Sequence, residues 1–115
     1  MSDIRESDWK TLRSLHDAAL DRFCRKVLDE LIRVSTDSAL TSHQRYLAIF
    51  KLIQERDEEL AEAFNGFRRS VAIEQLQLWK RHGLLTDEEY SRFSEETRAR
   101  VGGSLKASGA PAAAN

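Results

Sequence analysis

The sequence predicts an all-α protein with four helices in a single domain. Glycine and proline are scarce, since the only proline is Pro111 and the only glycines before residue 102 are Gly66 and Gly83. Apolar residues recur at intervals of three and four, which is the period of an amphipathic helix. Both glycines follow such a stretch, where a residue in the left-handed conformation closes a helix. At 115 residues, the chain has the length of one domain.

The first helix is predicted over about residues 8–34, with Ser7 or Asp8 as its N-cap. Its apolar stripe is wider than the seam of a two-stranded coiled coil, so we expect the helix to pack against two neighbours. The stripe contains Leu12, Leu15, Ala19, Phe23, Val27, Leu31 and Val34, and it is widened by Leu20, Cys24, Leu28 and Ile32.

The second helix is predicted over about residues 42–65, with Thr41 or Ser42 as its cap. Asp57 interrupts its apolar stripe, and a carboxylate in such a place needs a partner or access to water. Two interpretations stay open: Asp57 lies at the edge of the stripe or pairs with an arginine, or it makes a buried polar contact that binds a ligand. The predicted buried face consists of Tyr46, Phe50, Ile53, Leu60 and Phe64.

The third helix is predicted over about residues 70–82, capped by Ser70 and ended by Gly83. It is apolar on more than one side. Ala72, Ile73, Leu76 and Trp79 share one face, whereas Val71 and Leu78 lie on another. A helix of this kind is either central in a bundle or offers part of its surface to a partner.

The fourth helix is predicted over about residues 87–100. Thr86 and Glu89 have the spacing of a capping box, and acidic residues fill the first turn, where they favour the helix dipole. Ser94, followed by two glutamates, allows the helix to break and restart. Residues 102–115 contain few large apolar side chains, so we predict a helical domain over residues 1–101 and a disordered tail.

Composition excludes several classes of function. The net charge is −1, so any attraction to a polyanion must be local. Cys24 is the only cysteine and lies on an apolar stripe, which predicts a packing residue, no disulfide and a reducing, cytoplasmic location. The N-terminus has no apolar stretch typical of a signal peptide, and no segment has the length of a membrane span.

The sequence offers no constellation for chemistry. His16, His43 and His82 lie in different segments, and none has a second histidine or a cysteine one helical turn away, so we expect no metal site and no cofactor. No phosphate-binding glycine loop is present, and no catalytic arrangement stands out. These observations favour a protein without enzymatic activity.

The hypothesis that the sequence favours is a protein-interaction or regulatory module that acts through an apolar helix surface. Trp9, Val71 and Leu78 are its candidate contacts. The partner is either a second copy, giving a homodimer, or a regulatory protein. The reason is that four short helices do not bury all the apolar surface of the third one.

Two alternatives come from other classes. Residues 58–77 resemble a helix-turn-helix, which implies that Arg68 and Arg69 contact phosphates and that Gln75 and Gln77 face bases of DNA. The glutamates nearby oppose this reading, because they repel phosphate. The second alternative is a small-ligand-binding helical bundle, in which an enclosed pocket gathers Asp57 with an arginine or a histidine.

Overall fold

The computed structural model describes residues 4–107, and their side chains as far as residue 102. This part of the chain is helical, without any strand, which confirms the predicted all-α class. Its elements are α1 (Glu6–Ser35), α2 (Ser42–Phe64), a 3-10 turn (Arg69–Val71), α3 (Ala72–Arg81), α4 (Asp87–Tyr90) and α5 (Glu95–Ala107). None of these helices has the length and apolarity needed to cross a membrane.

The two long helices form an antiparallel hairpin, and the shorter helices pack at one end of it. The core joins the first half of α1 to the C-terminal end of α2, α3 and α5, and it contains Leu12, Leu15, Ala19, Phe23, Ala63, Phe64, Leu76, Trp79, Leu84, Phe93 and Val101. We call this end the base and the end with the α1–α2 loop the tip. Because α1 has 30 residues, or about 45 Å of helix, the tip extends beyond the short helices.

Local signals place the corners as predicted. Thr41 caps α2 in a capping box with Gln44, and Thr86 caps α4 in a capping box with Glu89. Gly66 and Gly83 both have positive φ, at 64° and 70°, and each follows a helix or its last turn. These conformations are the ones that favour glycine over residues with a Cβ.

The predicted cap of α1 is wrong, and the structure gives Asp8 a different role. The helix begins at Glu6, and Arg5 in the N-cap position makes no side-chain capping bond. The buried Asp8 carboxylate instead accepts hydrogen bonds from the Ser94 amide at 2.8 Å and from the Ser94 and Thr97 hydroxyls at 2.6 and 2.7 Å. Burial raises the pKa of Asp8, but these hydrogen bonds outweigh it, so the net pKa is lowered. The Ser94 hydroxyl in turn accepts from the Thr97 amide at 3.2 Å, so Ser94 caps α5 and Asp8 holds that cap in place.

The predicted fourth helix is two helices. It breaks between Tyr90 and Glu95, at the position where Ser94 allowed a restart. Helix α5 then continues through Gly102 to Ala107, so helical backbone extends into the predicted tail. Residues 108–115 of that tail lie outside the described residues.

The predicted cap of the third helix is wrong as well. Ser70 lies within the 3-10 turn, and α3 begins two residues later at Ala72. The Ser70 hydroxyl accepts a hydrogen bond from Arg68 Nε at 3.2 Å instead of one from the helix. A charged donor close in sequence replaces the amide that a capping serine would bind.

Candidate functional site

The tip of the hairpin exposes large apolar side chains. Two lie one turn apart on α1, and the other four lie on the first half of α2. Each of the six side chains is 47–66% exposed. We call these six residues the hairpin face: Leu28, Ile32, Tyr46, Leu47, Phe50 and Ile53. A large apolar side chain has roughly 200 Å² of surface, and about half of it is accessible in each of the six. Together they expose on the order of 600 Å² of apolar surface, which is the upper end for a patch on a monomer.

The hairpin face corrects the predicted burial of α2. Tyr46, Phe50 and Ile53 were predicted to be buried together with Phe64, but only the Phe64 end of the stripe is covered. The Phe64 ring stacks on Trp79 of α3, with 5.3 Å between the ring centroids. Since α3 has ten residues, or about 15 Å of helix, it covers the stripe at the base alone.

A groove of about 220 Å³ runs between α1 and α2 at the base end of the hairpin face. Leu28 and Ile53 form one part of its wall, and the half-buried Cys24 lies one turn before Leu28. Asp57 lines the groove but is exposed to water, which agrees with the interpretation that places it at the edge of the stripe. The groove is thus a largely apolar channel that Asp57 and Arg56 also line.

A second groove between α1 and α2 is lined by charged side chains, and Arg56 lines both grooves. The Arg56 guanidinium donates two hydrogen bonds to the Glu30 carboxylate, at 2.9 and 3.1 Å, and a third to Glu59 at 3.2 Å. The hydrogen bonds from Arg56 lower the pKa of Glu30. This clamp links α2 to α1 beside the hairpin face.

The three interface residues predicted from the sequence lie at the base and not at the tip. Trp9 packs against the core with its ring 4.9 Å from that of Phe67, centroid to centroid. Leu78 is also partly buried against the core. Val71 is half-buried at the end of the 3-10 turn. The structure thus gives Trp9 and Leu78 packing partners within the chain.

The residues of the helix-turn-helix interpretation are largely engaged by the protein itself. Gln75 is buried and its amide donates to the Asn65 carbonyl at 3.0 Å. The Arg69 guanidinium donates to the Ile4 carbonyl at 2.7 and 3.0 Å and to Glu6 at 2.8 Å.

The other two residues of that interpretation are less enclosed. Arg68 is exposed, and besides its bond to Ser70 it donates to the Gly66 carbonyl at 3.1 Å, while Gln77 is half-buried. In this arrangement Gln75 cannot reach a base edge, because its side chain is enclosed.

Within residues 4–107, no group of three or more His, Cys, Asp or Glu side chains is placed to hold a metal ion. Comparisons of the chain with protein-family models, with curated proteins and with solved structures found no match.

Proposed function

We propose that this protein is an interaction module that binds another protein through the hairpin face. The observation that carries the proposal is the exposure of the large apolar side chains Leu28, Ile32 and Phe50 near the tip of the hairpin. Exposed apolar surface of this size is costly in water and is typical of a binding surface. The proposed setting is the cytoplasm, where a chain with one cysteine keeps its thiol reduced.

The chemistry of the surface indicates the kind of partner. Two parallel ridges of aliphatic and aromatic side chains flank a groove, which suits the apolar face of an amphipathic helix. Aromatic anchors such as Phe50 and Tyr46 contribute much of the binding energy at interfaces of this kind. The partner in this proposal is therefore helical and apolar on its contact side.

The proposal moves the interface from Trp9, Val71 and Leu78 to the tip, and substitutions can separate the two locations. Phe50→Asp introduces a charge at the hairpin face, and Leu78→Glu introduces one at the base. We expect Phe50→Asp to abolish binding and to keep the helical circular dichroism of the parent. Leu78→Glu should unfold the domain instead, because its side chain packs on the core.

The binding test is site-specific photocrosslinking in cells. A benzophenone amino acid at position 50 should give a discrete protein adduct, whereas the same amino acid at the exposed Glu55 should not, since Glu55 lies on another side of α2. Leu28→Asp across the groove should remove the adduct. Equal adducts from positions 50 and 55, or none from position 50, would contradict the proposal.

A further inference from the structure

We infer that the occupant of the hairpin face is a second copy of this chain, and that two hairpins pack in antiparallel fashion into a four-helix bundle. The inference rests on the proposed function and names its partner. An antiparallel pair of helices with one apolar side is half of such a bundle, and a second, identical hairpin supplies the other half. A two-fold interface of this type must be self-complementary.

The side chains along α2 have this self-complementary order. Phe50 lies at the centre of the exposed stripe. Tyr46 lies one turn nearer the tip, and Ile53 lies one turn nearer the base. If a two-fold axis passes near Phe50, an antiparallel copy places its Ile53 over Tyr46 and its Tyr46 over Ile53. Apolar side chains then meet apolar side chains on both sides of the axis.

The polar residues at the two ends of the stripe are complementary in the same way. His43 lies seven residues before Phe50 and Asp57 lies seven residues after it, which places both on its side of the helix. The antiparallel arrangement brings the His43 imidazole of one copy beside the Asp57 carboxylate of the other, twice per dimer. A parallel arrangement would bring no such pair together along α2.

The size of the surface is sufficient for this assembly. Two hairpin faces of on the order of 600 Å² each bury about 1,200 Å², which is the lower end for a specific protein–protein interface. The short helices at the base do not obstruct the second copy. With the axis near Phe50, the second copy begins its α2 opposite residue 58, before Phe64, where α3 covers the stripe.

The first test is sedimentation velocity on the full chain from about 1 to about 200 µM, the range in which a small interface associates. We expect a monomer–dimer equilibrium that Phe50→Asp converts to monomer at every concentration. The matched control is Ala99→Asp, which adds the same charge at an exposed position of α5. Circular dichroism checks that both variants keep the helicity of the parent.

The second test is disulfide crosslinking, which reports the register. In a Cys24→Ser background, a mixture of Tyr46→Cys and Ile53→Cys chains should form mixed disulfide dimers on oxidation. Neither variant should crosslink with itself, because the antiparallel register separates identical positions by about 9–12 Å along the helix, beyond the roughly 7 Å Cα limit of a disulfide.

The outcomes separate this inference from the proposed function. A chain that stays monomeric up to 200 µM overturns the inference, whereas the proposed function would then depend on the photocrosslink at position 50 alone. A dimer that survives Phe50→Asp overturns the inference by placing self-association elsewhere. Self-crosslinking of either single-cysteine variant, without the mixed product, overturns the antiparallel arrangement.

Discussion

Two phenylalanines on one stripe of α2 are expected to differ strongly in their contribution to stability. Phe64 is 7% exposed and Phe50 is 57% exposed. Truncation of a buried phenylalanine to alanine costs about 3–5 kcal/mol, so Phe64→Ala should lower the free energy of unfolding by that amount. The covered part of Phe50 is under half of roughly 200 Å², and its own helix shields some of it, so Phe50→Ala should cost about 1 kcal/mol.

Urea unfolding followed by circular dichroism measures both values. At about 1 µM, where a small interface is dissociated, the two variants should differ by about 2–4 kcal/mol. At higher concentrations the parent and Phe64→Ala should both gain stability from association, whereas Phe50→Ala should not. Equal destabilisation by the two substitutions at 1 µM would refute the reasoning, because it would mean that the tip is covered within one chain.

Two further predictions concern the contacts that hold the base together. Asp8→Ala should lower the free energy of unfolding by about 2–4 kcal/mol, because the amide and hydroxyl of Ser94 lose their charged acceptor. Chemical denaturation at pH 7 should then show a lower midpoint with an unchanged slope. Glu89→Gln should cost about 1–3 kcal/mol at pH 7, because Glu89 accepts two hydrogen bonds from Arg22, at 2.6 and 3.0 Å.

The loss of stability caused by Glu89→Gln depends on pH, and the pKa of Glu89 sets the direction of that dependence. The hydrogen bonds from Arg22 lower the pKa of Glu89 from 4.5 to about 2. A carboxylate whose pKa is lowered by folding contributes its full stability above its unfolded pKa. The contribution is lost as the pH falls from 4.5 toward 2, so the curves of Glu89→Gln and the parent should converge over that interval. A deficit that stays constant across it would contradict this role of the ion pair.

The sequence predicts the helices and their corners because those signals are local. The glycine turns and the Thr41 and Thr86 capping boxes depend on residues within four positions of each other. Burial along a stripe is not local, since it depends on how far a neighbouring helix reaches. The pattern at Tyr46, Phe50 and Ile53 indicated an apolar side correctly, but the ten-residue length of α3 decided that this side is exposed.

The same limit explains the other differences. Asp8 has the identity and position of an N-cap, yet its carboxylate bonds to Ser94 and Thr97, more than 80 residues away, which no local rule indicates. The predicted contacts Val71 and Leu78 followed from an apolar excess on one helix. The signal that pointed to the tip was the unusual width of the α1 stripe, which includes Leu28 and Ile32. A third helix of about ten residues is too short to cover so wide and long a stripe, which indicates that part of the stripe stays exposed.

The 30-residue span of α1 gives one continuous helix two different environments. Its residues from Leu12 to Phe23 contribute to the core, whereas Leu28 and Ile32 near its C-terminal end are exposed and Glu30 pairs with Arg56 of α2. Backbone amides near the tip should therefore exchange with solvent hydrogen through local opening, and amides near Leu15 only through global unfolding. A partner bound to the hairpin face would slow amide exchange at the tip and leave exchange at the base unchanged. The exchange rates along α1 therefore report whether the hairpin face is covered.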